Sequence, residues 1–199
     1  QKTAYEIRNC DWSSDVCSSD LRDKYKRETN VVLIRKYLGN SLEKFQNFEV
    51  IQVGALPFTV CTDVVMVALI TSRRRGQWII PKGWPENGLT LSMSAALEAS
   101  QEVGCIGSVA EKPCGEYCYF KRSPSGPRKK IKVTVYPLEV SFQKLEWKER
   151  KQREFVWLPI AEAACRADKL GLRSLLNDLV SEPTLLTNGP FINPNGIGS

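Results

Sequence analysis

The 199-residue chain has no histidine. That absence removes imidazole metal sites and every serine or cysteine mechanism whose base is a histidine. Long apolar runs are missing as well. The longest, Val64 to Ile70, is far too short to cross a bilayer, so no membrane role is expected. Cys114 and Cys118 form the one pair with metal-ligand spacing, and no second close pair completes a zinc site. With no secretory signal at the start, the cysteines are expected as reduced thiols of a cytoplasmic protein.

Residues 11 to 21 read Asp-Trp-Ser-Ser-Asp-Val-Cys-Ser-Ser-Asp-Leu, which matches the in-frame translation of a sequencing-library adapter. Residues 1–21 are therefore set aside from fold reasoning as an artefact. The whole chain carries +6, and the excluded segment, with Lys2 and Arg8 against Glu6, Asp11, Asp15 and Asp20, carries −2, so the rest carries +8. A basic excess of this size suits an anionic partner. No groove-reading motif or aromatic platform motif accompanies it, so nucleic acid is not the expected partner.

The hydrophobic fraction of 42% is that of a globular protein. Residues 22–46 are charged and carry apolar residues at helical spacing, from Val31 to Phe45, which predicts a partly helical extension. The main domain is expected over 47–180. Its strands are expected at 48–58 (ended by Pro57), 64–71, 78–80, 117–121, 130–140 and 155–158, and its helices after Thr90, at 160–167 and at 172–180. Residues 181–199 are expected as an irregular tail. One strand pair is joined by a short loop, so a purely parallel sheet is not expected. An α/β domain with a mixed sheet between helices is.

The segment from Gly83 to Ile106 is the most informative. A glycine-bearing loop runs into a helix that carries Glu98 and Glu102, four residues apart and hence on one face. Two like charges at that spacing cost a few tenths of a kcal/mol, about 0.2–0.5, unless something offsets them. A divalent cation would. The plain alternative is a solvated helix face. Ala96, Ala99 and Val103 form the buried stripe, and Gly104 closes the helix.

This segment resembles the Nudix box, Gly-x5-Glu-x7-Arg-Glu-U-x-Glu-Glu-x-Gly-U, with U aliphatic. Gly83, Glu98, Glu102 and Gly104 fall on box positions. The lead-in Trp78 to Pro85, the run Val135 to Val140 and the run Gln152 to Leu158 are similar to a Nudix subgroup near the diphosphoinositol polyphosphate and diadenosine polyphosphate hydrolases. The departures are Leu89 for the first box glutamate, Leu97 for the arginine that normally fixes its neighbour Glu98, and Gln101 for the first of the paired glutamates.

The resemblance implies an α/β/α sandwich and hydrolysis of a phosphoanhydride in a nucleoside polyphosphate, dinucleoside polyphosphate or diphosphoinositol. It implies Mg²⁺ or Mn²⁺ held by Glu98 and Glu102, with Gly83 offering a backbone carbonyl and Gln101 a neutral amide oxygen. Glu139 either approaches the metals from its strand or points outward. Arg73, Arg75, Lys82 and Arg153 are candidates for gripping the phosphorylated substrate, and Arg122 to Lys132 form a second basic group. Trp84 and Trp147 either stack on a base or cover the core, and the core is expected. Leu97 and Gln101 predict reduced activity. The alternative is a catalytically impaired Nudix-fold protein that binds a phosphorylated ligand.

Overall fold

Thr62 and Asp63 both take positive φ, 46° and 64°, between Cys61 and Val64, which are cross-strand partners. This is the two-residue turn whose twist matches a β-hairpin, and it joins β1 (Glu49–Cys61) to β2 (Val64–Thr71). The computed structural model describes residues 49–123, 126–187 and 189–194. The adapter-like segment and the 22–46 extension lie outside the described residues.

After β2 come two short strands, β3 (Trp78–Ile79) and β4 (Lys82–Gly83), and then helix α1 (Leu91–Glu102). Strands β5 (Cys105–Ala110), β6 (Gly115–Ser123), β7 (Gly126–Gln143) and β8 (Phe155–Pro159) follow. The chain continues through helices α2 (Ile160–Arg166) and α3 (Leu170–Ser181), a 3₁₀ turn (Pro183–Leu186) and β9 (Phe191–Ile192). One mixed sheet holds all the described strands, in the order β3-β2-β1-β7-β5-β9, with β4 on β1, β6 on β7 and β8 on β2. Only the β1–β7 pairing is parallel among them.

Two apolar layers cover the sheet. Ala95, Ala96 and Ala99 of α1, with Val103 at its C-cap, pack on one face with Ala68, Ile70, Leu138 and Val140. Leu172, Leu175, Leu176 and Leu179 of α3, with Ala163 and Ala164 of α2, pack on the other with Leu69, Val133 and Val135. The alternation along β7 decides the faces: Val133 and Val135 point one way, Tyr136, Leu138 and Val140 the other. This is the expected α/β/α sandwich around a mixed sheet.

Several boundaries differ from expectation for local reasons. Pro57 does not end β1. Its missing N–H falls just before the ladder to β2 begins at Phe58, so no sheet bond is lost there. The β6–β7 hairpin is longer than expected, because Lys121 and Lys129 still pair across it. Strand β5 was not anticipated, since Gly104 just before it and Gly107 within it mask its pattern. Residues 181–199 are not wholly irregular. Phe191 and Ile192 pair with Ala110 and Val109, and Leu186 is buried. Among the described residues no helix is long and apolar enough to cross a membrane.

Candidate active site

Helix α1 begins where Thr90 Oγ1 accepts from the Met93 N–H at 3.2 Å, a side-chain cap on a free amide. Ser94 Oγ then ties the preceding loop to the helix. It accepts from the Glu86 N–H and donates to Thr90 O. Ser94 is therefore buried.

The other end of α1 is fastened by the segment after β7. The Gln143 Nε2 donates to Val103 O, the Lys144 N–H to Gly104 O, the Trp147 Nε1–H to Glu102 O and the Glu149 N–H to Gln101 O. The carbonyls that a helix leaves open at its C-terminus thus anchor a loop. Gly104 makes this possible twice over. Its φ is +71°, and a Cβ there would meet the Trp147 ring at 2.5 Å. The loop in turn delivers Glu149 and Arg153.

Glu98 and Glu102 sit at one end of a cleft of about 560 Å³. A Cβ on residue 83 would collide with the Glu98 carboxylate, so Gly83 is what lets that carboxylate lie against β4. Glu102 is buried. Its Oε2 accepts from the Lys82 N–H at 2.9 Å, and its Oε1 is ion-paired with Arg153 Nη2. Arg153 Nε donates to Glu149 Oε2 at 2.6 Å, and Arg73 Nη1 donates to Glu149 Oε1 at 3.2 Å. Burial pushes the Glu102 carboxyl up to about 7, against the downward pull of Arg153 and the Lys82 N–H. Burial, and then the neighbouring Glu149, also raise Glu98.

The rest of the cleft is basic. Its lining includes Arg73, Arg74, Arg75, Lys82, Lys121, Arg153 and Lys169 against the three carboxylates Glu98, Glu102 and Glu149. Lys82 Nζ and Lys169 Nζ both stand over the Tyr119 ring, at 5.1 and 5.6 Å from its centre. Lys169 is brought there by Asp168, whose Oδ2 accepts from the Trp78 N–H and whose own N–H donates to Trp78 O. Burial lowers Lys82 to about 8, and Arg153, Lys121 and Lys169 push it the same way against Glu102.

Of the residues singled out from the sequence, Arg73, Arg75, Lys82, Gly83, Glu98, Gln101, Glu102 and Arg153 all line this one cleft. Glu139 does not. It shares pleat parity with Val133 and Val135, on the face opposite α1, and is exposed there. Gln101 Oε1 accepts from Lys148 Nζ at 3.1 Å, which draws its amide toward the rim. The Arg153 guanidinium is spent on protein acceptors, so it is not a free hand for phosphate. Trp147 packs against the core as expected, whereas Trp84 is 49% exposed at the cleft. Of the second basic group, Lys132 pairs with Glu116 at 2.6 Å, and Lys121, just ahead of that group, lines the cleft. Glu149, Tyr119 and Lys169 escaped the sequence reading. The one available signal was the i,i+4 spacing of Glu149 and Arg153.

Leu97 lies elsewhere. It lines a separate groove with Leu89, Met93, Ile106 and Pro194. The two helix departures, Leu97 and Gln101, are four residues apart, the spacing of one lateral ion pair. Their loss leaves Glu98 and Glu102 on their own face.

A hard dication fits the acid end in kind, because its donors are oxygens and the Gly83 cradle leaves the Glu98 carboxylate room. Among the described residues no group of three or more His, Cys, Asp or Glu could hold a metal by itself. Two carboxylates plus phosphate oxygens of a ligand is a usual Mg²⁺ arrangement.

The fold places the chain among proteins of the Nudix fold. It superimposes on a C. elegans Ap4A hydrolase solved as a binary complex with TM-score 0.52 and 18% identity, covering 68% of this chain and 98% of that one. It is similar to the NUDIX domain of Shewanella oneidensis NrtR complexed with ADP ribose, with TM-score 0.50 and 17% identity over 73% and 97% of the two chains. No family model matches the chain. Its sequence is 28% identical over 145 residues to "Nudix hydrolase 12, mitochondrial" of Arabidopsis thaliana, covering 71% of this chain and 69% of that relative. It is 27% identical over 143 residues to "Nudix hydrolase 16, mitochondrial" of the same plant, covering 64% and 79%. The chain thus shares the Nudix fold and is similar in sequence to Nudix hydrolases.

Proposed function

We propose that this chain hydrolyses a phosphoanhydride in a nucleoside polyphosphate, dinucleoside polyphosphate or diphosphoinositol, with a divalent ion and at reduced rate. One observation carries the reading. Two box carboxylates, Glu98 and Glu102, line the same cleft as Arg73, Arg74, Arg75, Lys82, Lys121 and Lys169. The fold neighbours named for Ap4A and ADP ribose act on or hold compounds with anhydride-linked phosphates, which supports the same ligand class.

Glu98 and Glu102 would hold Mg²⁺ or Mn²⁺, together with ligand phosphate oxygens. When bound, the ion supplies charge neutralisation at phosphate and a more acidic water. The chain's own residues do the rest. Lys82, Lys169 and the arginines 73 to 75 draw the phosphates against the acid end and offset their charge. Glu98, its carboxyl raised by burial, can take a proton from the attacking water. Trp84 is placed to cover a flat group at the mouth.

A second reading is a binder of phosphorylated ligands with little turnover. It is favoured by Glu102, both of whose oxygens already have protein partners. Phosphate release from diadenosine polyphosphates, nucleoside diphosphate sugars and diphosphoinositols, each with Mg²⁺ and with Mn²⁺, decides between them. Turnover of any one that is abolished by Glu98→Gln supports the hydrolase. Tight binding of these compounds with no release supports the binder.

A further inference from the structure

Arg153 reaches across the fold from the loop before β8, and its guanidinium meets three separate parts of the chain. Nε donates to Glu149 Oε2, Nη1 donates to Thr71 O at the end of β2 at 2.9 Å, and Nη2 pairs with Glu102 Oε1. The side chain is only 7% exposed. Its backbone is fixed at the same place. The Thr71 N–H donates to Glu154 O, and the Glu154 N–H donates to Thr71 Oγ1. The rotamer cost of holding a long side chain is therefore largely met by bonds that exist for the sheet.

On α1, the position from which the resembling box would supply an arginine holds Leu97, which lines another groove. Glu149 raises the cost of charging both Glu98 and Glu102, and Glu98 does the same to Glu102. Without a cation among them, these carboxylates would repel one another and turn outward to water. A planar fork can serve two carboxylates and a carbonyl at fixed directions, which a single ammonium cannot do in the same plane.

We infer that Arg153 is the positioning residue of the acidic end. It orients Glu102 and Glu149 toward the cleft. The consequence for metal rests on the hydrolase reading above, but the clamp itself does not.

The test is a set of variants, Arg153→Met, Arg153→Lys, Glu102→Gln and the double Arg153→Met/Glu102→Gln, read in three ways. In EDTA at pH 8, Arg153→Met is expected to lower the melting temperature by roughly 10 °C, because it strands buried carboxylate charge. Glu102→Gln added to it should recover a large part of that loss. Strictly additive effects would overturn the inference. Free Mn²⁺, counted by electron paramagnetic resonance, should show affinity about 10–100-fold weaker in Arg153→Met, with Arg153→Lys only partly restoring it. In steady-state assays kcat should fall by a similar factor while KM stays within a few-fold.

A rise in KM alone would make Arg153 a phosphate ligand, and unchanged kcat and Mn²⁺ affinity would make it structural only. Either result overturns the positioning role. If the wild type neither binds Mn²⁺ nor turns over any substrate, the hydrolase reading fails. The melting cycle then decides the clamp by itself.

Discussion

Gly83 offers the sharpest separation of function from stability at the scale of a residue. The atoms a new Cβ would strike are the end of the Glu98 side chain, which can swing away cheaply. Gly83→Ala should thus melt within a few degrees of the wild type and lose about 10–100-fold in phosphate release, because Glu98 is displaced from the cleft. Equal losses in Tm and rate would mean that Glu98 has only a packing role. Residue 97 gives the opposite contrast. Rebuilding the box pair with Leu97→Arg and Gln101→Glu restores one lateral i,i+4 ion pair, worth about 0.3–0.5 kcal/mol. Activity is expected to change less than about threefold, since neither position directs Glu98 or Glu102. A large gain in kcat would show that Leu97 marks the loss of a residue that fixes Glu98.

At the scale of elements, α1 works because both of its ends are tied. Thr90 caps one, and the loop carrying Trp147 and Glu149 caps the other. Gly104→Ala strikes this second tie, combining a positive φ with collision against Trp147. It should cost about 1–3 kcal/mol in urea unfolding. It should also lower activity more than Gly76→Ala, whose φ is also positive but whose Cβ would meet nothing within 4 Å. This tie also shows what could be read from the chain in advance. The glycines 83 and 104 and glutamates 98 and 102 lie within one local spacing pattern, so the loop and helix were legible. So were β2, a solid aliphatic run, and the helices near 160 and 172. Glu149, Tyr119 and Lys169 were not, because their role arises from contacts 37 or more residues away in sequence: Glu149 with Arg73, Tyr119 with Lys82, Lys169 with Gln77. Glu139 misled for the same reason. Its pleat parity follows from which neighbours β7 pairs, and its own sequence does not show it.

For the whole molecule, the buried carboxylates set how stability responds to pH. Glu102 holds its proton up to about 7 in the folded chain, against an ordinary value of 4.5, because burial penalises its charge. Between those two pH values the unfolded chain has already released that proton and the folded chain has not, so folding binds more protons than unfolding. Stability from this group is therefore fully present below about 4.5 and lost as pH rises through about 7. The loss is on the order of 3 kcal/mol, taking about 1.4 kcal/mol for each pH unit of displacement. Glu98, raised in the same direction, adds to the slope. The measurement is urea unfolding in EDTA at a series of pH values from 4.5 to 8, with Glu102→Gln as reference. The wild type should lose stability relative to that variant across the window, then run parallel to it above pH 7. Adding Mg²⁺ at pH 8 should stabilise the wild type and leave Glu102→Gln nearly unmoved, because only the charged pair of glutamates gives the ion a binding free energy to contribute. A wild type that tracks Glu102→Gln at every pH, with and without Mg²⁺, would mean that Glu102 carries no strained charge. The acid end would then be an ordinary ion-pair network.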